Sequence, residues 1–143
     1  MSASITVHNR QRAMKVDIAA LQNFARRALE MSLKHRSGKT RPLKLPQIDV
    51  ILVSDRRMSA LHRRFFQIAG PTDVITFQHG EILISVETAR RQAGIYRNTL
   101  LQEIQLYLVH GLLHLRGFTD NVRSHAKAMR SLQERIAREA LKI

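Results

Sequence analysis

Cysteine and tryptophan are both absent from the 143 residues, and aromatic side chains make up only 5% of the chain. Without cysteine there is no disulfide scaffold, no thiolate-ligated zinc finger, no thioredoxin-type redox pair and no cysteine nucleophile. With so few rings, a base-stacking platform of the single-strand-binding kind is not expected, and contact with a nucleic-acid backbone is the more natural mode. Acidic residues are scarce as well. Only 11 Asp and Glu stand against 24 Lys and Arg, giving a formal net charge of +13 and a pI near 11.5. No apolar run approaches the roughly 18 residues of a spanning helix. Met1 to Gln11 carry no apolar core behind a basic start, so no secretory signal is expected. The expectation is a soluble cytoplasmic protein with no membrane partner.

What is present is ordinary for a folded chain. Hydrophobic residues at 44% and charged residues at 24% are values of globular proteins, so the basic excess does not signal disorder. There is no internal repeat and no linker, which predicts a single domain over residues 1–143. A domain of this size buries roughly 70% of the surface its unfolded chain exposes. The positive charge is spread along predicted helices, and such a surface attracts phosphate backbones and releases their counterions.

The apolar periodicity gives the order of elements. Ile5 and Val7 alternate as a short strand, and Ile18, Leu21, Ala25, Ala28 and Leu29 recur at helical spacing behind Asp17, a good N-cap. A loop is expected over Ser37 to Pro42, then a buried strand over Ile48 to Ser54 and a short helix from Met58 to Phe65, with Phe65 in the core. Val74 to Phe77 and Glu81 to Ser85 read as a hairpin turning at Gly80, followed by a helix from Val86 that ends at Gly94. Thr99 and Gln102 form a possible capping box for a central helix, with Leu101, Ile104, Leu108, Leu112 and Leu115 as its buried stripe and Gly117 just past its end. A last helix runs from about Arg123 to Leu141, with Ala126, Met129, Leu132 and Ile136 inward and Arg123, Lys127, Arg130 and Arg138 outward. The sum is an α+β domain: a small mixed sheet of about four strands packed on helices.

The chemistry concentrates in His110-Gly-Leu-Leu-His114-Leu-Arg-Gly-Phe-Thr-Asp120. Histidines at i and i+4 share one helical face, so both imidazoles can reach one metal ion. Asp120, just beyond the helix end, is a hard-oxygen donor that could close a His, His, Asp set and leave a position for water. A metalloprotease helix places Glu directly after the first histidine as the base; here that residue is Gly111. Phosphodiester cleavage needs only a metal and positive charge on the phosphate oxygens. Two imidazoles and a carboxylate suit zinc, nickel, iron or manganese.

The same segment resembles the His-Gly-x-Leu-His-Leu-x-Gly-Tyr-Asp-His signature of the YbeY endoribonucleases. Upstream, Pro71-Thr72-Asp73-Val74-Ile75-Thr76-Phe77 is similar to that family's Pro-Thr-Asp-Val-Leu-Ser-Phe, and Gly80-Glu81-Ile82-Leu83-Ile84-Ser85 to its Gly-Asp-Ile-x-Ile-Ser. All three motifs, in family order, fall within residues 48 to 135. The resemblance implies a single-strand-specific, metal-dependent endoribonuclease of ribosomal RNA maturation and ribosome quality control, with one zinc per chain on His110, His114 and Asp120. Its partners would be single-stranded ribosomal RNA and possible contacts with the ribosome or small-subunit proteins. Arg63 and Arg64 are the catalytic candidates, and Arg116, Arg123, Lys127 and Arg130 the candidates for RNA contact. This chain departs from the signature at its end, where an ungapped reading puts Asp120 at the third histidine, a one-residue slip would put Asn121 there, and His125 is a further candidate. It departs again before Pro71, where His62 stands at the family's Asn position and Phe66 at that of its catalytic Arg. Those departures define the rival expectation, an RNA-binding or ribosome-assembly factor that keeps the fold with weakened catalysis. Thr72 and Asp73 are expected to fix the start of the strand through local hydrogen bonds, and His79 to be an exposed turn residue.

Overall fold

The computed structural model describes residues 3–34, 45–118 and 123–141. The loop expected over Ser37 to Pro42 and the ligand candidate Asp120 lie outside these residues. Among the described residues the elements are β1 (Ser4–Asn9), α1 (Ile18–Lys34), β2 (Gln47–Val53), α2 (Asp55–Phe66), β3 (Val74–Phe77), β4 (Glu81–Ser85), α3 (Val86–Tyr96), α4 (Leu100–Leu115) and α5 (Arg123–Leu141). The sheet has the order β1-β2-β4-β3, with β1, β2 and β4 parallel and β3 antiparallel to β4. This is the expected small mixed α+β sheet. Among the described residues, no helix is long and apolar enough to cross a membrane.

Strand alternation sends one set of side chains to each face. Ile5 and Val7 of β1, Ile48, Val50 and Leu52 of β2, and Ile82 and Ile84 of β4 enter the main core with α1, α4 and α5. At the centre of this layer Ile82, Ile104 and Leu108 have no exposed surface. Each such side chain contributes roughly 1.5–3 kcal/mol by leaving water. On the opposite face, a smaller core joins Val53, Ile75 and Leu83 to Met58 of α2.

Local chemistry sets the ends. The Asp17 carboxylate accepts from the Ala20 backbone N–H at 3.0 Å, as an N-cap should. Ser54, expected at the end of a strand, instead caps α2 by accepting from the Arg57 N–H. Thr99 and Gln102 form the reciprocal capping box of α4. The helix expected to stop at Gly94 continues to Tyr96 and is closed by Arg97 in the left-handed region at φ 58°. Gly80 sits at φ 116° in the β3–β4 turn, where a Cβ would lie 2.8 Å from the Gln47 carbonyl oxygen, so both conformation and space require glycine. Asp55 anchors α2 to α3. Burial pushes its carboxyl pKa up, but hydrogen bonds from Ser85, Thr88 and Arg91 outweigh that and hold it below the ordinary 3.8.

Phe65 corrects the core expectation: it is 49% exposed, and Phe66 beside it is 45% exposed. Met58, about two turns earlier, takes the fully buried position of α2, and Phe65 instead lies half-exposed against Phe77 of β3.

Candidate metal centre

The central helix ends in a way that organises its histidines. Gly117 adopts φ 93°; its N–H bonds the His114 carbonyl, and the Phe118 N–H bonds the Leu113 carbonyl, each at 3.0 Å. This paired closure is a Schellman motif, available because glycine tolerates the left-handed conformation. It carries the Phe118 carbonyl back to the helix, where His114 Nδ1 lies 3.1 Å from the oxygen. A carbonyl only accepts, so Nδ1 carries a proton and the ring is turned with Nε2 toward His110.

His110 is oriented in the same sense from another element. Its Nδ1 lies 2.8 Å from Oε1 of Gln133 on α5. The two Nε2 atoms then face one another at 2.9 Å, with the rings 4.5 Å apart and inclined by 76°. Two imidazole nitrogens on one tetrahedral ion with bonds of about 2.0–2.1 Å would be separated by roughly 3.3 Å. The pair fits such an ion after a shift of a few tenths of an ångström, and the fixing of Nδ1 by an oxygen acceptor is the usual support for a ligating histidine. Among the described residues, no group of three or more His, Cys, Asp or Glu forms a metal-binding cluster.

Gly111, between the histidines, explains how the helix approaches the sheet. A Cβ there would lie 2.7 Å from a methyl carbon of Ile82 on β4. The absent metalloprotease glutamate therefore has a structural counterpart, because that position is filled by the sheet.

The histidines open onto a cavity of about 270 Å³ that also takes in His62 and Phe66 from α2, Thr72 before β3, and Thr76 on it. His62 Nδ1 is held 2.9 Å from the Gly70 carbonyl oxygen. Asp73 accepts from the Val74 N–H at 2.7 Å and from the Thr72 hydroxyl, while its own carbonyl accepts from the Ser85 N–H, the strand-fixing role expected of this segment. No Lys or Arg is among the described residues lining this cavity.

The remaining candidates are distributed around the molecule. Arg116 is 4% exposed and donates to the Ser32 carbonyl, tying α4 to α1; this corrects its expected role in RNA contact, since a buried guanidinium is not presented to a ligand. Arg64 lines a different cavity, on the other side of the sheet, and exposed Arg63 lines neither. Arg123, Lys127 and Arg130 are exposed on α5 as expected. His79 is an exposed turn residue paired with Glu81. Gln133 and the Phe118 carbonyl were not among the sequence candidates. The signal for Gln133 was its place one turn beyond inward-facing Met129, where a polar side chain needs a partner.

The family model described as Endoribonuclease YbeY matches residues 6–140. The chain belongs to the YbeY endoribonuclease family. Endoribonuclease YbeY of Pelotomaculum thermopropionicum is 29% identical over 147 residues, covering 92% of this chain and 93% of the relative. Endoribonuclease YbeY of Heliobacterium modesticaldum is 33% identical over 118 residues, covering 68% and 71%. The solution structure of TM1509 from Thermotoga maritima superposes with a TM-score of 0.64 at 25% identity, covering 95% of this chain and 88% of that one. Within this YbeY fold, Phe66 supplies an apolar wall to the histidine cavity at the position where the family resemblance implies an arginine.

Proposed function

We propose that the protein is a metal-dependent endoribonuclease that cuts single-stranded ribosomal RNA during maturation and quality control of the ribosome in the cytoplasm. The observation that carries the reading is the pair of Nε2 atoms 2.9 Å apart at an open cavity, each ring held at Nδ1 by an oxygen. The metal ligands are His110 and His114, with Asp120 as the third, and zinc is the ion such a set favours at one per chain. Bound there, the ion would supply Lewis acidity for the phosphodiester and make a water more acidic. The protein's own residues hold the ligands in orientation, and Thr72 and Thr76 offer hydroxyls along the cavity wall. Arg123, Lys127 and Arg130 contribute long-range attraction for the RNA backbone.

A second reading has its own observation. The cavity wall carries Phe66 and no described Lys or Arg, so among the described residues no guanidinium faces charge building on a phosphate there. A fold retained for RNA binding or ribosome assembly, with slow cleavage, follows from that.

Elemental mass spectrometry of the purified protein and of His114→Ala, paired with cleavage of single-stranded ribosomal RNA, separates the two. About one zinc per chain in the parent, with metal and cleavage both abolished in the variant, is the expected result. Cleavage undiminished in His114→Ala removes the mechanism, and metal binding without measurable cleavage favours the second reading.

A further inference from the structure

On the sheet face turned away from the main core lies a second and larger cavity, of about 710 Å³. Its size is within the roughly 300–1,000 Å³ of ordinary ligand sites. The floor comes from Ile51, Leu83 and Phe77 of the sheet together with Leu61 and Phe65 of α2. Arg57, Leu61, Arg64 and Phe65 are at i, i+4, i+7 and i+8, so one stripe of α2 supplies both apolar and cationic groups. Arg10 enters from the end of β1, its N–H bonded to the Leu52 carbonyl at 2.9 Å. Glu81 is the one acidic residue among the described lining, and it is engaged by His79.

Three of the protein's few aromatic residues meet at this place. Phe65 and Phe77 have ring centroids 5.3 Å apart at 73°, Phe66 and Phe77 are 6.5 Å apart at 28°, and Phe77 stacks on His79 at 5.6 Å and 15°. The Arg64 guanidinium carbon sits 5.3 Å from the Phe65 centroid, within range of a cation–π contact. Exposed Phe65, Phe66 and Ile68 are close in sequence, and contiguous apolar exposure of this kind marks an interaction surface. The low aromatic content speaks against an extended stacking platform; the fold nevertheless gathers these rings from the end of α2 and from β3 and its turn.

We infer that this groove is a second RNA-binding site, in which a base of a single strand stacks on exposed Phe65, itself backed by Phe77, while Arg10, Arg57 and Arg64 hold its phosphates. The inference rests on RNA being the substrate, as proposed above. Exposed rings beside three arginines complement a single strand, whose bases offer π-faces and whose backbone offers regularly spaced negative charge. The two cavities adjoin at the last turn of α2, where Phe65 lines the groove, Phe66 lines the histidine cavity, and both rings contact Phe77. A strand crossing this corner would be gripped on one side of β3 and presented to the histidines on the other.

The test is fluorescence anisotropy with a fluorescein-labelled single-stranded 12-mer RNA, using full-length protein in EDTA so that cleavage plays no part. Phe65→Ala should weaken binding about tenfold, the size of one base stack. Arg57→Gln with Arg64→Gln should lower the slope of log affinity against log salt by about 1.4, roughly 0.7 for each single-strand phosphate. A control that removes equal charge elsewhere, Arg26→Gln with Arg90→Gln, should keep the parental slope. All these side chains are exposed, and circular dichroism and melting verify the fold. Parental affinity and slope in the groove variants, or an equal weakening in the control, overturn the groove; an acidic protein partner would give the first of these results. If the parent cleaves RNA but ignores the groove substitutions, the groove alone fails. If groove binding responds as expected and no metal or cleavage is found, the catalytic reading alone fails. A parent that does not bind the RNA overturns both.

Discussion

A single carbonyl oxygen decides which nitrogen of His114 is turned toward His110. Because Phe118 O can only accept, a proton is on Nδ1 and Nε2 faces His110. Gln133 does the same for His110 through a side chain, which makes that half of the arrangement testable by substitution. Gln133→Leu keeps the size of the residue and removes the acceptor, so the His110 ring is deprived of its support from α5. Zinc affinity, measured by competition with a chromophoric chelator, should fall about 10- to 100-fold, while the metal-free protein melts close to the parent. Unchanged affinity would show that the helix alone orients the ring.

At the scale of elements, α4 lies against β4 because one of its residues has no side chain. Alanine at position 111 gains roughly 1 kcal/mol in helix propensity over glycine. Against that, its Cβ would meet the fully buried Ile82 at 2.7 Å, and overpacking of this kind costs typically about 1–3 kcal/mol. Gly111→Ala should therefore be neutral to destabilising by about 2 kcal/mol in urea unfolding; a clear gain in stability would mean that the helix and sheet can separate freely. The element order was legible because it rests on local signals: the Asp17 cap, the Thr99 capping box, the Gly80 turn and the Gly117 closure. Gly94 misled because a glycine in a helix need not end it, and Arg97 accepted the left-handed position instead. That the two histidines share a helical face was legible from their i, i+4 spacing. Their supports were not, since one is a backbone carbonyl and the other reaches across from α5. Nor could spacing reveal that Arg116 turns inward to Ser32, or that Arg64 and the histidines occupy opposite sides of the sheet.

At the scale of the whole molecule, positive charge and the histidine pair are brought together by α5. Arg123, Lys127 and Arg130 recur at i, i+4 and i+7 on its exposed side, and Gln133, within one turn of Arg130, contacts His110. The helix thus joins a cationic surface to the proposed metal ligands, and RNA held along it would approach the cavity. Surface cations act through counterion release, so their contribution is read in salt dependence more cleanly than in affinity at one ionic strength. Replacing all three with glutamine should lower the slope of log affinity against log salt by roughly 2, at about 0.7 for each single-strand phosphate no longer neutralised. The three side chains are exposed and the inward residues Met129, Ile136 and Ala140 are untouched, so melting should stay near that of the parent. Anisotropy titrations across a series of salt concentrations measure the slope directly. A slope equal to the parental one would make this face of α5 a solvated surface and leave RNA attraction to the arginines across the sheet.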